Sequence, residues 1–315
     1  MPLTPESQSE DAGPGRILAI GDLHGNHAGL RRILLDTGLI DGKDRWVARD
    51  THLVLMGDVL GRGGEPGKIF DLVRRLETEA PVLGSRVHLL LGNHEALALL
   101  GILRYNTLEE FRDVAAADWA PDQTGSEAGE TISAENRTEL DAKFGKRLDM
   151  LGAREFQMAL SPRGGMGAWL LAHASAVALN GHLFVHGGLN RAHGLLPLHE
   201  LNALVRSGIA AAAARPDGGA PLRGDGPQWN RDYILHPGPD RDVELQEVLD
   251  YHACQRMVVG HTPTSCIVPR QAGRILPLYR GRMYCIDTGI GRAFGGHLSA
   301  LSLEDDRRPK ALYFA

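Results

Sequence analysis

Five apolar stretches of this 315-residue chain each run into residues that bind cations: Gly21-Asp22-Leu23-His24-Gly25, Gly57-Asp58, Gly92-Asn93-His94-Glu95, His186-Gly187-Gly188 and Gly260-His261-Thr262. Carboxylate oxygens, an amide oxygen and imidazole nitrogens make a hard N/O donor set that can hold two divalent ions close together. Such a pair clamps a phosphate and generates hydroxide from water, the chemistry of phosphoester hydrolysis. Asp22 and His24 stand two apart, so at a strand end both side chains project to one side and can grip one ion. Asp58 has two oxygens with which to bridge both ions, and Asn93, His186 and His261 complete the other position. A lone Gly-Asp or Gly-His is an ordinary turn. Five of them, each closing an apolar run, make a site.

The elements that must position these residues are legible as alternating patterns. Arg16 to Gly21, His52 to Met56 and Val87 to Leu91 read as strands. Helical spacing follows each: Ala28 to Leu39, Ile69 to Glu79, and a helix opening near Glu95. Alternating strands and helices imply a largely parallel, buried sheet whose carboxyl-end loops gather into one crevice. From Leu108 to Leu160 the chain turns polar, charged and mostly helical, which reads as an inserted helical cap spanning about residues 104–165. The sheet resumes at His182 to Val185, a helix follows near Leu198 to Ile209, and the Gly/Pro/Ala-rich passage Ala210 to Pro227 marks a surface loop. Beyond Met257 the runs are short and β-rich: Met257 to Val259, Ile267 to Pro269, Ile275 to Tyr279, Met283 to Ile286, Leu298 to Leu303 and Ala311 to Phe314. They are expected as antiparallel strands of a second sheet. The expected organisation is a disordered tail over residues 1–15 and a single domain over 16–315.

Composition narrows the class. A hydrophobic fraction of 43% suffices for a large buried core, and 39 glycines suit a loop-rich α/β enzyme. The net charge of −5, spread along the chain, is unlike the basic footprint of a nucleic-acid binder. The polar N-terminus has neither a cationic start nor an apolar core, so no signal peptide and no membrane anchor is expected there. Cys254, Cys266 and Cys285 are odd in number and lack ligand spacing, which fits reduced, buried thiols in a cytoplasmic protein.

The motifs together resemble the calcineurin-like metallophosphoesterases, and within them the phosphoprotein phosphatase (PPP) family. That family's pattern of Gly-Asp-x-His-Gly, Gly-Asp-x-x-x-Arg-Gly, Gly-Asn-His-Glu and a distal His-Gly-Gly stands here at Gly21 to Gly25, Gly57 to Gly63, Gly92 to Glu95 and His186 to Gly188. Pro263 occupies a position where other branches carry a further histidine. Pro162-Arg163-Gly164, Trp169-Leu170, Phe184 to Leu189 and Gly226 to Arg231 look most like the Shewanella-like protein phosphatase subgroup. The resemblance implies an α/β/β/α sandwich of two facing mixed sheets with a helical cap. It implies two metal ions, manganese and/or iron with zinc as a further option, on Asp22, His24, Asp58, Asn93, His186 and His261. It also implies metal-activated hydroxide attack on phosphorus, with His94 as general acid and Arg62 and Arg231 forking onto phosphate oxygens.

One position departs from the family pattern. An aspartate that usually precedes the arginine of the second motif, and orients the catalytic histidine, is Gly61 here. Either another acid such as Glu65 or Asp232 takes that role, or turnover is slower. Glu95 is expected behind the metal loop. His173, in the apolar run Leu170 to Val177, reads as a hydrogen-bonded core histidine, and Trp229 as either packing or a substrate platform. The expected activity is phosphomonoester hydrolysis on phosphoserine, phosphothreonine and/or phosphotyrosine of proteins. Alternatives are a phosphorylated small metabolite or dinucleoside polyphosphate as substrate and, with all six ligand types present, least of all a non-catalytic scaffold.

Overall fold

A computed structural model describes residues 15–117, 119, 138, 141–143, 152–213, 224–304 and 308–315. The expected N-terminal tail therefore lies outside the described residues, except for Gly15, as does much of the 104–165 insertion. Among these residues, ten strands form two five-stranded sheets. In the first, β1 (Arg16–Ile20), β2 (Thr51–Leu55) and β3 (Arg86–Leu89) run parallel, and β9 (Ser299–Leu303) and β10 (Lys310–Tyr313) add antiparallel on the β1 side. In the second, β5 (His182–Val185), β6 (Arg256–Val259) and β8 (Met283–Cys285) run parallel between antiparallel edges β4 (Ala176–Leu179) and β7 (Leu276–Leu278).

Strand periodicity decides how the sheets stack. Ile17 and Ala19 of β1, Val54 of β2, Phe184 of β5, Val258 of β6 and Leu301 of β9 share one buried cluster between the two sheets. Their neighbours Leu18, Ile20, Leu53 and Leu55 face the opposite way, into a core with the helices His27–Asp36 and Pro66–Glu79. On the far side, Leu183, Val185, Met257 and Val259 meet the helices Leu198–Ala213 and Pro239–Tyr251. Alternate residues thus serve alternate faces, and the outcome is the expected four-layer α/β/β/α arrangement.

Several local expectations change. Leu298 to Leu303 and Ala311 to Phe314 supply β9 and β10, which close the first sheet rather than the second. His182 to Val185, expected to resume the first sheet, is β5 of the second, and β6 and β8, expected antiparallel, pair in parallel, β6 with both β5 and β8. Ile267 to Pro269 is not a strand: a short helix Thr264–Ile267 runs into the 3-10 turn Pro269–Gln271, as a proline that cannot donate to a ladder would favour. β4 and the helix Pro239–Tyr251 were not expected. Of the insertion, helices Leu108–Ala116 and Ala153–Leu160 pack together through Phe111 and Phe156, whose ring centroids lie 5.0 Å apart, and join the core of the first helical layer. His173 is hydrogen-bonded, as expected, to Glu77 Oε1 at 2.7 Å and the Trp169 carbonyl at 2.8 Å. Trp229 packs against the same helical-layer core. Cys254 and Cys285 are buried, and burial pushes both thiols up to about 12, but Cys266 is exposed. Among the described residues no helix is long and apolar enough to cross a membrane.

Phe184 is wholly buried between the sheets, where its loss leaves a cavity that rigid strands cannot fill. Phe184→Ala is expected to destabilise the chain by about 3–5 kcal/mol, read as a lower denaturant midpoint. An unchanged midpoint would show that the sheets do not depend on this contact.

Candidate active site

Six parallel strands end at one side of the sandwich, and each delivers polar side chains there. Asp22 and His24 follow β1, Asp58 follows β2, Asn93 and His94 follow β3, His186 follows β5 and His261 follows β6. All are buried, none more than 8% exposed. The chain bends sharply to aim them: His24, Asp58, Arg62 and His261 hold left-handed backbone, with φ of 41°, 48°, 65° and 63°. Such conformations cost on the order of 1–3 kcal/mol each in a non-glycine residue and cluster at functional sites.

Asp58 is the shared centre. Its Oδ1 lies 3.3 Å from His186 Nε2, and its Oδ2 lies 4.0 Å from His24 Nε2 and 3.8 Å from His94 Nε2. Donor atoms of His24, Asp58 and His94 form one group within 4.8 Å of one another, and those of Asp58, His186 and His261 a second. Asn93 Oδ1 sits 3.1 Å from His186 Nε2, and Asp22 accepts the His261 amide at 3.0 and 3.1 Å. All six residues expected as ligands therefore converge, and His94 stands among them.

Their polar neighbours show what the site fits. His186 Nδ1 meets the Met56 carbonyl at 2.7 Å, and His24 Nδ1 meets the Leu60 and Gly61 carbonyls at 3.0 Å. Bonding to a carbonyl holds the Nδ1 proton, which leaves Nε2 of each ring as the atom that would ligate a cation. His261 Nε2 is buried with no hydrogen-bond partner, an orphan a cation would satisfy. Charge tells the same story. Burial and the neighbouring Asp287 hold Asp22 well above the usual carboxylate range. Burial works against the charged form of His186, yet Asp58 and Asp22 carry it up to about 10. Burial likewise opposes ionisation of Asp58, but His186 and His94 overcome it and hold the carboxyl well down. Burial pulls His94 down to about 4 and His261 to about 2. Acids and imidazoles this crowded, away from water, suit divalent cations.

Asp287 went unnoticed in the sequence. It follows β8, the sixth parallel strand, is 2% exposed, and is pushed up to about 6 by burial. Its signal was present, an apolar run Met283 to Ile286 closing on Asp-Thr-Gly, but reading that run as antiparallel put its carboxyl end elsewhere. Glu95 lies behind the loop as expected. Its carboxylate accepts the amides of Asp58, Val59, Leu60 and Gly92 at 2.8–3.0 Å, which fixes the bend that carries Asp58.

Arg62 is exposed at the mouth, its guanidinium carbon 5.2 Å from the Tyr105 ring and 5.4 Å from that of Phe294. Arg231 lies against the His261 turn. Its Nη2 donates to the His261 carbonyl at 3.2 Å, and its Nε is buried without a partner. Neither acid offered as a partner for His94 reaches it: Glu65 is bonded to Lys68 at 2.7 Å, and Asp232 pairs with Arg241 at 3.6 Å. The imidazole instead lies directly on Gly61, where an added Cβ would fall 2.1 Å from His94 Nδ1.

Residues 15–298 match the sequence pattern of the calcineurin-like phosphoesterases. The chain belongs to that family. A protein of Arabidopsis thaliana named Shewanella-like protein phosphatase 2 is 33% identical over 281 residues, covering 83% of this chain and 71% of that protein. Shewanella-like protein phosphatase 1 of Plasmodium berghei is 28% identical over 317 residues, 95% and 74% of the respective lengths. In fold, the chain is similar to the crystal structure of a cold-active protein-tyrosine phosphatase from a psychrophilic Shewanella species, with a TM-score of 0.68 at 23% identity over 96% of this chain and 81% of that one. As a calcineurin-like phosphoesterase with phosphatase relatives, the protein is a metal-using hydrolase of phosphoesters.

Gly61 has φ of +78° and no room for a side chain. Gly61→Asp, which writes the usual family residue into this chain, is expected to displace His94 and lower turnover of p-nitrophenyl phosphate on the order of 100-fold, with the metal content of the purified protein retained. Faster turnover would show that the ring has space to yield.

Proposed function

We propose that the protein is a two-metal phosphomonoesterase acting on phosphorylated side chains of proteins. The observation that carries this reading is Asp58 itself, whose carboxylate lies 4.0 Å from His24 Nε2 through one oxygen and 3.3 Å from His186 Nε2 through the other, with His261 grouped on the His186 side. Asp22, His24, Asp58, Asn93, His186 and His261 would hold the ions, manganese and/or iron by this reading, with zinc also compatible with N/O donors. Bound there, two cations supply a more acidic water and neutralise charge on the phosphate.

The chain's own residues do the rest. Arg62 offers paired N–H donors to phosphate oxygens at the exposed edge, and the buried, unpartnered Nε of Arg231, beside His261, offers another. His94 is the donor to the leaving oxygen, carried by the first turn of the helix Asn93–Leu99, which also carries Asn93. Its ring is held between Tyr105, at 5.2 Å, and His24, at 5.0 Å. A protein substrate is supported by the protein phosphatases to which the chain is similar. Tyr105 and Phe294 on either side of Arg62 give the mouth two apolar walls, suited to an aryl leaving group. We therefore expect phosphotyrosine to be accepted alongside phosphoserine and phosphothreonine.

Three measurements test this. Asp58→Asn is expected to abolish turnover of p-nitrophenyl phosphate while circular dichroism stays that of the native chain; a retained rate rejects the two-metal reading. His94→Ala should slow poorly activated alkyl phosphates far more than aryl phosphates, because a good leaving group needs little protonation, and equal losses would remove His94 from the acid role. A panel of phosphotyrosine, phosphoserine and phosphothreonine peptides with added manganese should show phosphate release. Release only from small phosphorylated metabolites or dinucleoside polyphosphates would overturn the protein substrate.

A further inference from the structure

The wall of the mouth beside His94 is the turn 103–107, which leads into the helix Leu108–Ala116. Its backbone is tied down at several points. The Tyr105 carbonyl accepts the Arg62 amide at 3.0 Å, the Asn106 amide donates to the Leu103 carbonyl at 3.0 Å, and Thr107 Oγ1 caps the helix by accepting the Glu110 amide at 3.3 Å. Lys143 Nζ donates to the carbonyls of Arg104 and Asn106, each at 2.8 Å. Leu103 and Asn106 are buried, Tyr105 is half-buried, and Arg104 is exposed on this fixed turn.

Tyr105 carries two cations. The guanidinium carbon of Arg62 lies 5.2 Å from its ring centroid and that of Arg104 5.0 Å, both close enough for the negative face of the ring to attract them. Like charges gathered at one ring also repel each other. Among the described residues no carboxylate makes an ion pair with either arginine, whereas Arg31 meets Asp44 and Arg191 meets Glu247, each at 2.6 Å. Glu65, three residues beyond Arg62, is bonded to Lys68 at 2.7 Å, and Glu109 lies against Gly64. A chain with a net charge of −5 thus keeps two exposed, acid-free guanidinium groups at the mouth of its site.

The phosphate occupies one of them, Arg62. The other stands one side chain away, because the Tyr105 ring that bears both is itself 5.2 Å from the ring of His94. An extended peptide advances about 3.3 Å per residue, so a side chain roughly one to three positions from the phosphorylated residue spans that gap. The paired donors of a guanidinium match a carboxylate there.

We propose that Arg104 is a specificity residue that binds a carboxylate of the substrate, so that the enzyme favours phosphorylated residues with aspartate or glutamate close by in the peptide. This rests on a peptide substrate whose phosphate meets Arg62, and the test separates the two readings.

The full-length, metal-loaded protein would be assayed for phosphate release from phosphotyrosine and phosphoserine peptides that differ only in carrying Asp, Asn or Lys at one position, scanned through the nearest residues on each side. Asp should lower KM about fivefold against Asn at one position or more, the scale of an exposed ion pair, with kcat within about twofold, and Lys should raise KM. The Asp advantage should shrink as potassium chloride rises toward about 1 M, since exposed charges are screened. Arg104→Gln should erase the advantage and Arg104→Glu should transfer it to Lys, whereas Arg62→Ala should raise KM for all three peptides and leave their order. The ratio of Asp to Asn is the readout, which a smaller folded fraction of a variant does not move. Equal KM for Asp and Asn at every position, an advantage indifferent to salt, or one that survives Arg104→Gln overturns the proposal and leaves the protein substrate standing. Peptides untouched by enzyme that hydrolyses p-nitrophenyl phosphate would reject the protein substrate and this proposal together.

Discussion

Three buried carboxylates and four buried imidazoles cannot share one crevice unless charge is balanced there. Asp22, Asp58 and Asp287 are all but inaccessible to water, and His24, His94, His186 and His261 crowd between them. In a low-dielectric interior an unpaired charge shifts its proton equilibrium or finds a counter-ion. Asp22 and Asp287 are pushed toward their neutral forms by burial and by neighbouring carboxylates, and His186 is carried up to about 10 by Asp58 and Asp22 against its own burial. That displacement is what divalent ions would relieve, and the rest of the architecture serves to keep the groups together in spite of it.

The sandwich does this by symmetry of construction. Each sheet contributes three parallel strands, and parallel strands end on the same side. Facing two such sheets through the Ile17, Val54, Phe184 and Val258 layer brings six strand ends together across the apolar seam. The strand ends alone do not suffice, because extended backbone would carry the side chains past one another. Left-handed turns at His24, Asp58 and His261 fold them back. Bonds of Glu95 to four amides, each worth roughly 0.5–1.5 kcal/mol, are together of the size needed to hold strain of about 1–3 kcal/mol at such a residue. Close packing adds a constraint: a Cβ on Gly92 would fall 2.2 Å from Asp58 Oδ1 and one on Gly260 2.3 Å from Asp22 Oδ1, so the glycines beside these motifs make room for the carboxylates.

The convergence was readable in the sequence because it is written locally. Each motif couples an apolar run to a turn and a donor, and period-2 burial with strand–helix alternation is enough to place the donors at carboxyl ends. What the sequence did not disclose depends on partners far along the chain. Strands β9 and β10 have the same short apolar look as β7 and β8, and only pairing across nearly the whole chain, Ile17 with Leu303, assigns them to the first sheet. The direction of β8 relative to β6 is likewise invisible in Met283 to Cys285, and with it went Asp287.

Gly61 shows how one side chain's absence reorganises its surroundings. With an aspartate in the usual family position, an acid would stand beside the histidine of the Gly-Asn-His-Glu motif; here the imidazole itself fills that space, in contact with bare backbone at φ of +78°. The carboxylate that bears most on His94 is therefore Asp58, 3.8 Å from Nε2, on the side of the ring that faces the site centre. An acid at the back of an imidazole fixes its tautomer and supports its protonated form. An acid at the front that is also shared with His24 and His186 cannot do so independently of whatever occupies the centre. The proton on His94 is thus tied to the charge state of the crevice as a whole, and the orientation of its ring is left to packing against Gly61, Tyr105 and His24.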